Sequence, residues 1–367
     1  MIRVGIVGLG KMGLSHHAIF NAHPEVKVAG VCDSSRYVLS VLGKYTDVDT
    51  YSDYQEMLEQ VPLDAVVIAT PSSAHTSMVA AALERGLHVF CEKPLTLDPD
   101  ESEGLATTAR ERALATQVGY HNRFVATFRE VKKLLDSGVL GELHQVTGEA
   151  YGPVILKPQG RTWRSQRTEG GGCLYDYAAH VINLINWYCG APDGVGGTAL
   201  PSFFSRDTDD AALSTLYFSS GLTGQLTVNW SDESYRKMTT RITLRGSNGR
   251  IYADRQEIQV YLRDDAGAPD GYGKGWNVRY TTELTPPVWF YLRGEEYSEQ
   301  VDAFVKRAAK GEAEGTNDFA GAAMTDRTIA MMVADAARGP STERLNGSGA
   351  PAPAKRRRRL LARRSSA

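Results

Sequence analysis

The sequence predicts two joined units: an α/β domain on a parallel sheet, then an α+β domain on a largely antiparallel one. Three observations carry that prediction. Up to about residue 120, apolar runs of five to eight residues alternate with helix-like stretches of ten or more. That rhythm belongs to a parallel sheet with helices on both faces. After residue 120 it gives way to period-two segments joined by turn signals. Between the first apolar run and the first helix stands Gly8-x-Gly10-x-x-Gly13.

Taken in order, IRVGIVG reads as a strand and KMGLSHHAIFNAH as a helix. VKVAGVCD is the second strand, SSRYVLSVLGKY a helix, and DYQEMLEQ a short helix before the strand LDAVVIAT. SSAHTSMVAAALERG is amphipathic and helical, and LHVFCEKP is the next strand. DPDESEGLATTARERA is a helix whose acidic first turn suits its dipole, and TQVGY closes the series. The second unit opens on the helix FVATFREVKKLLDSG and the strand LHQVTGEAYG. A loop rich in Pro, Arg and Gly runs from Pro153 to Gly172, and the helix CLYDYAAHVINLINWYCG follows. Then come ALSTLYFSSGLTGQLTVNWS, TTRITLRGSNGRIYAD and QEIQVYLR, with SSG and GSNG as hairpin turns. Helices near Glu296–Ala309 and Asp318–Ala337 finish the ordered part, and no internal repeat is present. The expected boundaries are 1–120, 121–340 and a disordered basic tail at 341–367.

With 367 residues, 42% apolar and 23% charged, the chain has the composition of a two-domain globular protein. No apolar run approaches the ~20 residues that span a bilayer, and the N-terminus shows no secretory pattern. The four cysteines show neither CxxC nor metal-type Cys/His spacing. They are expected as free thiols packed in the core of a cytoplasmic protein, and no metal is expected. The stretch from Leu345 to Ala367 holds seven Lys/Arg and no acid, which leaves a body with 34 basic against 43 acidic residues. An acidic body excludes a nucleic-acid binder, and the tail reads as a solvated segment.

The glycine pattern follows a strand and opens a helix, the context it needs to bind a dinucleotide. Gly8 permits the tight turn, Gly10 lets a pyrophosphate approach the backbone, and Gly13 lets helix and strand pack closely. With Lys11 and Met12 between them, these residues lie where a helix N-terminus offers free N–H groups to phosphate. Asp33 ends the second strand, twenty residues after Gly13, where a carboxylate holds the adenosine ribose. A 2′-phosphate would be repelled there, so NAD is expected in preference to NADP. Arg36 is the one nearby side chain that could swing in to meet such a phosphate.

Ligands of a parallel sheet sit at the carboxyl ends of its strands. ATPSSAH and CEKP both follow strands, so both belong to the cofactor side. Lys93 is expected near the nicotinamide, where an ammonium stabilises the charge on an oxygen passing between alcohol and carbonyl. Glu92 is expected to set its protonation state.

Together, GIVGLGKMGLSHH, ATPSSAH, VFCEKPL and GGGCLYDYAAHVINLINW resemble the glucose–fructose oxidoreductase, inositol dehydrogenase and rhizopine-catabolism family, Gfo/Idh/MocA, in order over about residues 1–340. The resemblance implies an α/β N-terminal Rossmann domain and an α+β C-terminal domain with a large, mostly antiparallel open sheet that forms homodimers or homotetramers. It implies that Lys93, Asp176 and His180 are catalytic. The four-residue spacing of the last two puts them on one helical face. There His180 is expected to titrate near neutrality beside Asp176 and to move the substrate proton. The resemblance also places Thr70, Pro71, His75, Glu92 and Asn122 at the cofactor. His16 matches a histidine that often follows the third glycine and reads as a helix-packing residue.

The expected function is NAD(P)-dependent hydride exchange with a secondary alcohol of a sugar, polyol or nucleotide sugar. Two alternatives stay open: an NAD-requiring glycosidase on the same scaffold, and a non-catalytic dinucleotide sensor. The loop KPQGRTWRSQRTEGGG carries Arg161, Arg164 and Arg167 around Trp163. It reads as one wall of the substrate pocket, with an aromatic face for a sugar ring and guanidinium groups for an anionic one. Arg123 is placed at or near that pocket.

Overall fold

The computed structural model describes residues 1–46, 48–156, 162–287, 289–290 and 295–339. The predicted tail at 341–367 and Arg161 lie outside them. The first run folds as β1 (Ile2–Val7), α1 (Lys11–Ala22), β2 (Val26–Cys32), α2 (Arg36–Tyr45), β3 (Asp49–Tyr51) and α3 (Tyr54–Gln60). It continues with β4 (Ala65–Ile68), α4 (His75–Glu84), β5 (His88–Cys91), α5 (Pro99–Glu111) and β6 (Thr116–Val118). The six strands form a parallel sheet in the order β3-β2-β1-β4-β5-β6. Chain order reverses between β1 and β4, so a crevice opens there at the strands' carboxyl ends. All four residues of β4 are buried, as a strand covered on both faces requires. Helix starts follow local chemistry: Asp53 caps α3, and Asp98 caps α5 with Pro99 in its first turn.

The chain then forms α6 (Ala126–Asp136) and β7 (Leu143–Tyr151), and a π-helical turn at Leu174–Ala178 runs straight into α7 (Ala179–Cys189). Strands β8 (Gly194–Ala199), β9 (Ala211–Tyr217), β10 (Thr223–Asn229), β11 (Arg241–Gly246), β12 (Gly249–Ala253), β13 (Glu257–Leu262) and β14 (Gly275–Tyr280) follow. Three helices end the described chain: α8 (Thr281–Leu284), α9 (Glu295–Lys310) and α10 (Phe319–Arg338). The second sheet has eight strands in the order β14-β13-β12-β11-β7-β10-β9-β8. Every pairing in it is antiparallel except β7 with β10.

Helix α7 lies on one face of this sheet. Gly148 makes the approach possible, since a Cβ there would come within 2.4 Å of Val181 and 2.9 Å of Ile185. The C-terminal helices then return to the first sheet. Helix α10 packs on α5 and α7. Val301, Phe304 and Val305 of α9 share a core with Val4, Ile6 and Phe20. A second, larger core runs without a break from β4 and β5 into α7 and the eight-stranded sheet. The two sheets are therefore braced against each other, and the crevice at the first sheet is closed by Trp163, Arg164, Asp176, His180 and Tyr297 of the second unit. Among the described residues, no helix is long and apolar enough to cross a membrane.

Candidate active site

A cavity of about 720 Å³ runs from the end of β2, past the glycine-rich loop, to the π-helical turn before α7. The glycines shape its middle. Gly8 has φ +88°, and a Cβ there would meet Ala69 O at 2.7 Å. A Cβ on Gly13 would lie 1.8 Å from Gly8 O, so this residue serves helix–strand packing and does not line the cavity. Gly10 differs, because a Cβ on it would meet nothing within 4 Å. It also caps α1 without a side chain, which leaves the first N–H groups facing the space a pyrophosphate needs. These features fit a dinucleotide. Lys11, Met12, Thr70 and Pro71 line the same stretch. At the β2 end, the Asp33 carboxylate accepts from Leu9 N–H at 2.5 Å and from Ser35 N–H at 2.7 Å, which ties the glycine loop to the second strand.

The other lobe holds the charged groups. Lys93 leaves β5 beside a cis Lys93–Pro94 peptide. Its Nζ donates to Asp176 Oδ1 at 2.7 Å and to Asp176 O at 3.0 Å. Arg164 Nε donates to the second oxygen, Asp176 Oδ2, at 2.9 Å. Burial alone would raise the pKa of this carboxyl, but Lys93 and Arg164 outweigh it and hold Asp176 well below the usual carboxylate range. The Trp163 ring lies against both cations, 4.6 Å from the Arg164 guanidinium and 6.0 Å from Lys93 Nζ. His180 lies one turn beyond Asp176, and both line the cavity. The π-helical turn, closed by Ala179 N–H donating to Leu174 O, precedes it directly.

Several expectations need correction. Glu92 is not the partner of the Lys93 ammonium. It pairs with His16 Nε2 at 2.7 Å and accepts only the backbone N–H of Lys93, at 3.2 Å. His16 is thus more than packing, because it holds Glu92 in place. Asp176 does not orient His180, since both its oxygens are taken by cations. Nor does His180 titrate near neutrality. Burial first, then the Lys93 charge, pushes its pKa down to about 3, and its buried Nδ1 has no hydrogen-bond partner among the described residues.

Three residues expected at the ligands face elsewhere. His75 is fully buried, with its ring between Pro94 O at 2.8 Å and Thr70 O at 3.1 Å. It fastens the two strand-end loops to each other and does not line the cavity. Asn122 turns to Thr240 Oγ1 and to Arg255, both at 3.4 Å. Arg123 is buried with its Nε on Asn183 Oδ1 at 2.7 Å and its guanidinium over Trp187, away from the substrate lobe.

The sequence reading also missed residues. His121 lines the cavity with its ring 4.8 Å from His180 and stacked on Tyr297 at 4.9 Å. It follows β6, so the strand-end rule that found Lys93 could have found it. Tyr297 belongs to α9, and no local signal links it to the site. Ser52, Asp53 and Tyr54 line the far end beside β3, a strand the sequence reading did not contain. Gly119 backs Glu92, where a Cβ would come within 2.8 Å of the carboxylate.

Comparison with known proteins identifies the family of both units. Residues 2–120 match the family model described as oxidoreductase family, NAD-binding Rossmann fold. Residues 128–252 match the GFO/IDH/MocA C-terminal domain. The chain is 29% identical over 193 residues to a D-glucoside 3-dehydrogenase of Escherichia coli, covering 52% of this chain and 55% of that protein. It therefore spans just over half the length of that relative. It is 25% identical to a myo-inositol 2-dehydrogenase of Thermotoga maritima over 85% of this chain and 89% of that one. Among solved structures, levoglucosan dehydrogenase in complex with NADH and levoglucosan superposes with a TM-score of 0.79 at 21% identity, covering 92% of this chain and 97% of that one.

Proposed function

The chain belongs to the Gfo/Idh/MocA oxidoreductase family, and on that premise we propose that it is an NAD-dependent dehydrogenase or reductase acting on a secondary hydroxyl of a sugar, polyol or nucleotide sugar. The relatives named for glucosides and inositol support that substrate range. The observation that carries the reading is the Lys93 ammonium. Two of its three hydrogens are spent on Asp176, which leaves the third for a substrate oxygen in the same cavity as the glycine-rich loop.

When bound, NAD supplies the redox chemistry, taking the substrate hydride in oxidation and returning it in reduction. Lys93 holds the reacting oxygen and stabilises its developing negative charge. Asp176 fixes the ammonium by position and by charge, and Arg164 holds Asp176 by its other oxygen. His180, neutral in the empty pocket at physiological pH, is the acceptor for the hydroxyl proton in oxidation, and in reduction it returns a proton that it must first take up from solvent. Its own basicity is low in the empty pocket because it is buried and, secondly, because Lys93 is close. An oxygen that becomes anionic between them offsets that charge, so the proton moves as the oxygen charge forms. Trp163, His121 and Tyr297 supply flat walls suited to a ring-shaped polyol.

The four cysteines are unpaired, consistent with a reducing cytosol. The outward face of the eight-stranded sheet is read as the contact of a homodimer or homotetramer. The decisive experiment is a screen over polyols, aldoses and nucleotide sugars with NAD and NADP, using Lys93→Met and His180→Ala as controls. Both variants are expected to lose at least ~10²-fold in kcat while still binding NAD. Wild-type rates in either would remove that residue from the mechanism.

A further inference from the structure

We propose that Asp53 is a second cofactor-selecting residue, so that exclusion of a 2′-phosphate rests on two carboxylates carried by neighbouring strands. The proposal rests on reading the cavity as a dinucleotide site. The geometry begins with β2 and β3, which run parallel and end together. Cys32 stands opposite Tyr51, and Asp33 N–H donates to Tyr51 O at 3.2 Å. The chain therefore leaves both strands side by side, and Asp33 and Asp53 line the same end of the cavity with Ser34, Ser52 and Tyr54.

The two carboxylates are not equivalent. Both oxygens of Asp33 already accept backbone N–H groups, from Leu9 and Ser35. Asp53 accepts with Oδ1 alone, from Gln55 N–H at 2.7 Å and Glu56 N–H at 3.3 Å. Its Oδ2 has no hydrogen bond among the described residues, so it is the free acceptor on this wall. Both charges reach one spot: the Cys32 thiol between them is pushed up to about 11, by burial first and then by Asp53 and Asp33. Among the described residues no arginine or lysine lines the cavity there to offset them. The basic lining residues are Lys11 on the glycine loop and Lys93 and Arg164 in the substrate lobe, while Arg36 lies exposed outside the lining. A ribose with a free 2′-hydroxyl can donate to such a wall, whereas a dianionic phosphate meets two like charges.

Asp53→Asn isolates the charge, because asparagine caps a helix as well as aspartate does and α3 keeps its start. Titration calorimetry with NAD and with NADP, on wild type and variant, needs no substrate. The expected result is an NADP dissociation constant about fivefold lower in the variant, with the gain shrinking at high salt. NAD affinity is expected to change less than about twofold, and thermal unfolding to stay unchanged. Combining the change with Asp33→Asn should admit NADP further than either change alone. An unchanged ratio of NADP to NAD affinity in Asp53→Asn overturns the proposal. A wild-type chain that binds neither dinucleotide overturns instead the cofactor reading on which it rests.

Discussion

Asp176 shows how the chemistry of this site is divided. One carboxylate serves two cations, so its hydrogen bonds are spent on placing Lys93 and Arg164, and the upward push its charge gives His180 is outweighed by burial and by the Lys93 charge. His180 and His121 lie ring to ring in a buried pocket, and both are pushed well below the usual histidine range, each by burial first. The sign of the consequence is fixed. A native histidine pKa below the unfolded value means that the unfolded chain takes up protons first, so stability is full above about pH 6.5 and is lost as pH falls toward the native value. His180→Phe keeps an aromatic ring there and removes the titration. Between pH 6.5 and 4.5 it should spare about 2 to 3 kcal/mol of the loss the parent suffers. Denaturant unfolding at a series of pH values checks this, and parallel slopes for both proteins would refute it. Lys93, Asp176 and His180 were legible in the sequence as residue types at strand and helix positions. Their pairing was not. Lys93 and Asp176 are 83 positions apart, and only the folded crevice decides that the ammonium, rather than the imidazole, receives the carboxylate.

At the scale of elements, the segment from Lys93 to Asp98 links β5 to α5 and is held from below by α10. Asp326 of α10 is buried, with Oδ2 accepting from Thr96 N–H at 3.4 Å and from Ser102 Oγ at 2.8 Å. Burial pushes this carboxyl up to about 7 against weaker opposition from those donors. The native state then holds a proton that the unfolded chain releases, so stability falls as pH rises from about 4 through about 7. Asp326→Asn removes that burden. Its melting temperature should exceed the parent's at pH 8, by up to about 4 kcal/mol of stability, with the gap closing as pH is lowered toward 4. Calorimetry at both ends of the range tests it, and a constant offset would count against it.

The elements themselves were legible where their pattern was strong. The alternating strands and helices of the parallel sheet, the SSG and GSNG hairpins and both C-terminal helices all appear. The missed strands lie toward the edges. Strand β3 is three residues long, and β8 reads GVGGTA, half glycine, which weakens any strand signal. Strand β14, GWNVRY, alternates well but follows a run of turn residues, and nothing in it shows that a partner strand waits. The π-helical turn was invisible for a different reason: LYDYA suits an ordinary helix, and the widening comes from its surroundings.

Across the whole molecule, the eight-stranded sheet is asymmetric. On β7 the residues Val146, Gly148 and Ala150 are buried on the α7 side, and their neighbours point the other way. Continued across the sheet, that outward face carries Tyr261 of β13 and Trp276, Val278 and Tyr280 of β14, from 38% to 59% exposed. Tyr261 and Trp276 touch at 5.3 Å, which makes a continuous apolar band at one edge. At the other side Leu213 and Tyr217 of β9 are also bare. Scattered exposed apolar residues need no explanation, but a ladder of them on neighbouring strands is what a contact surface requires, and the oligomer proposed above would use it. A flat face that meets a copy of itself across a two-fold axis doubles every such contact. The expected particle in solution is therefore a multiple of the 40.1 kDa chain. The double change Trp276→Glu with Val278→Glu places like charges opposite each other in that arrangement, while neither residue supports the core. It should shift the mass measured by light scattering to that of one chain, with the monomer's melting temperature and NAD binding preserved. An unchanged mass would mean that the band is not the contact, and the β8–β9 side would then be the surface to alter.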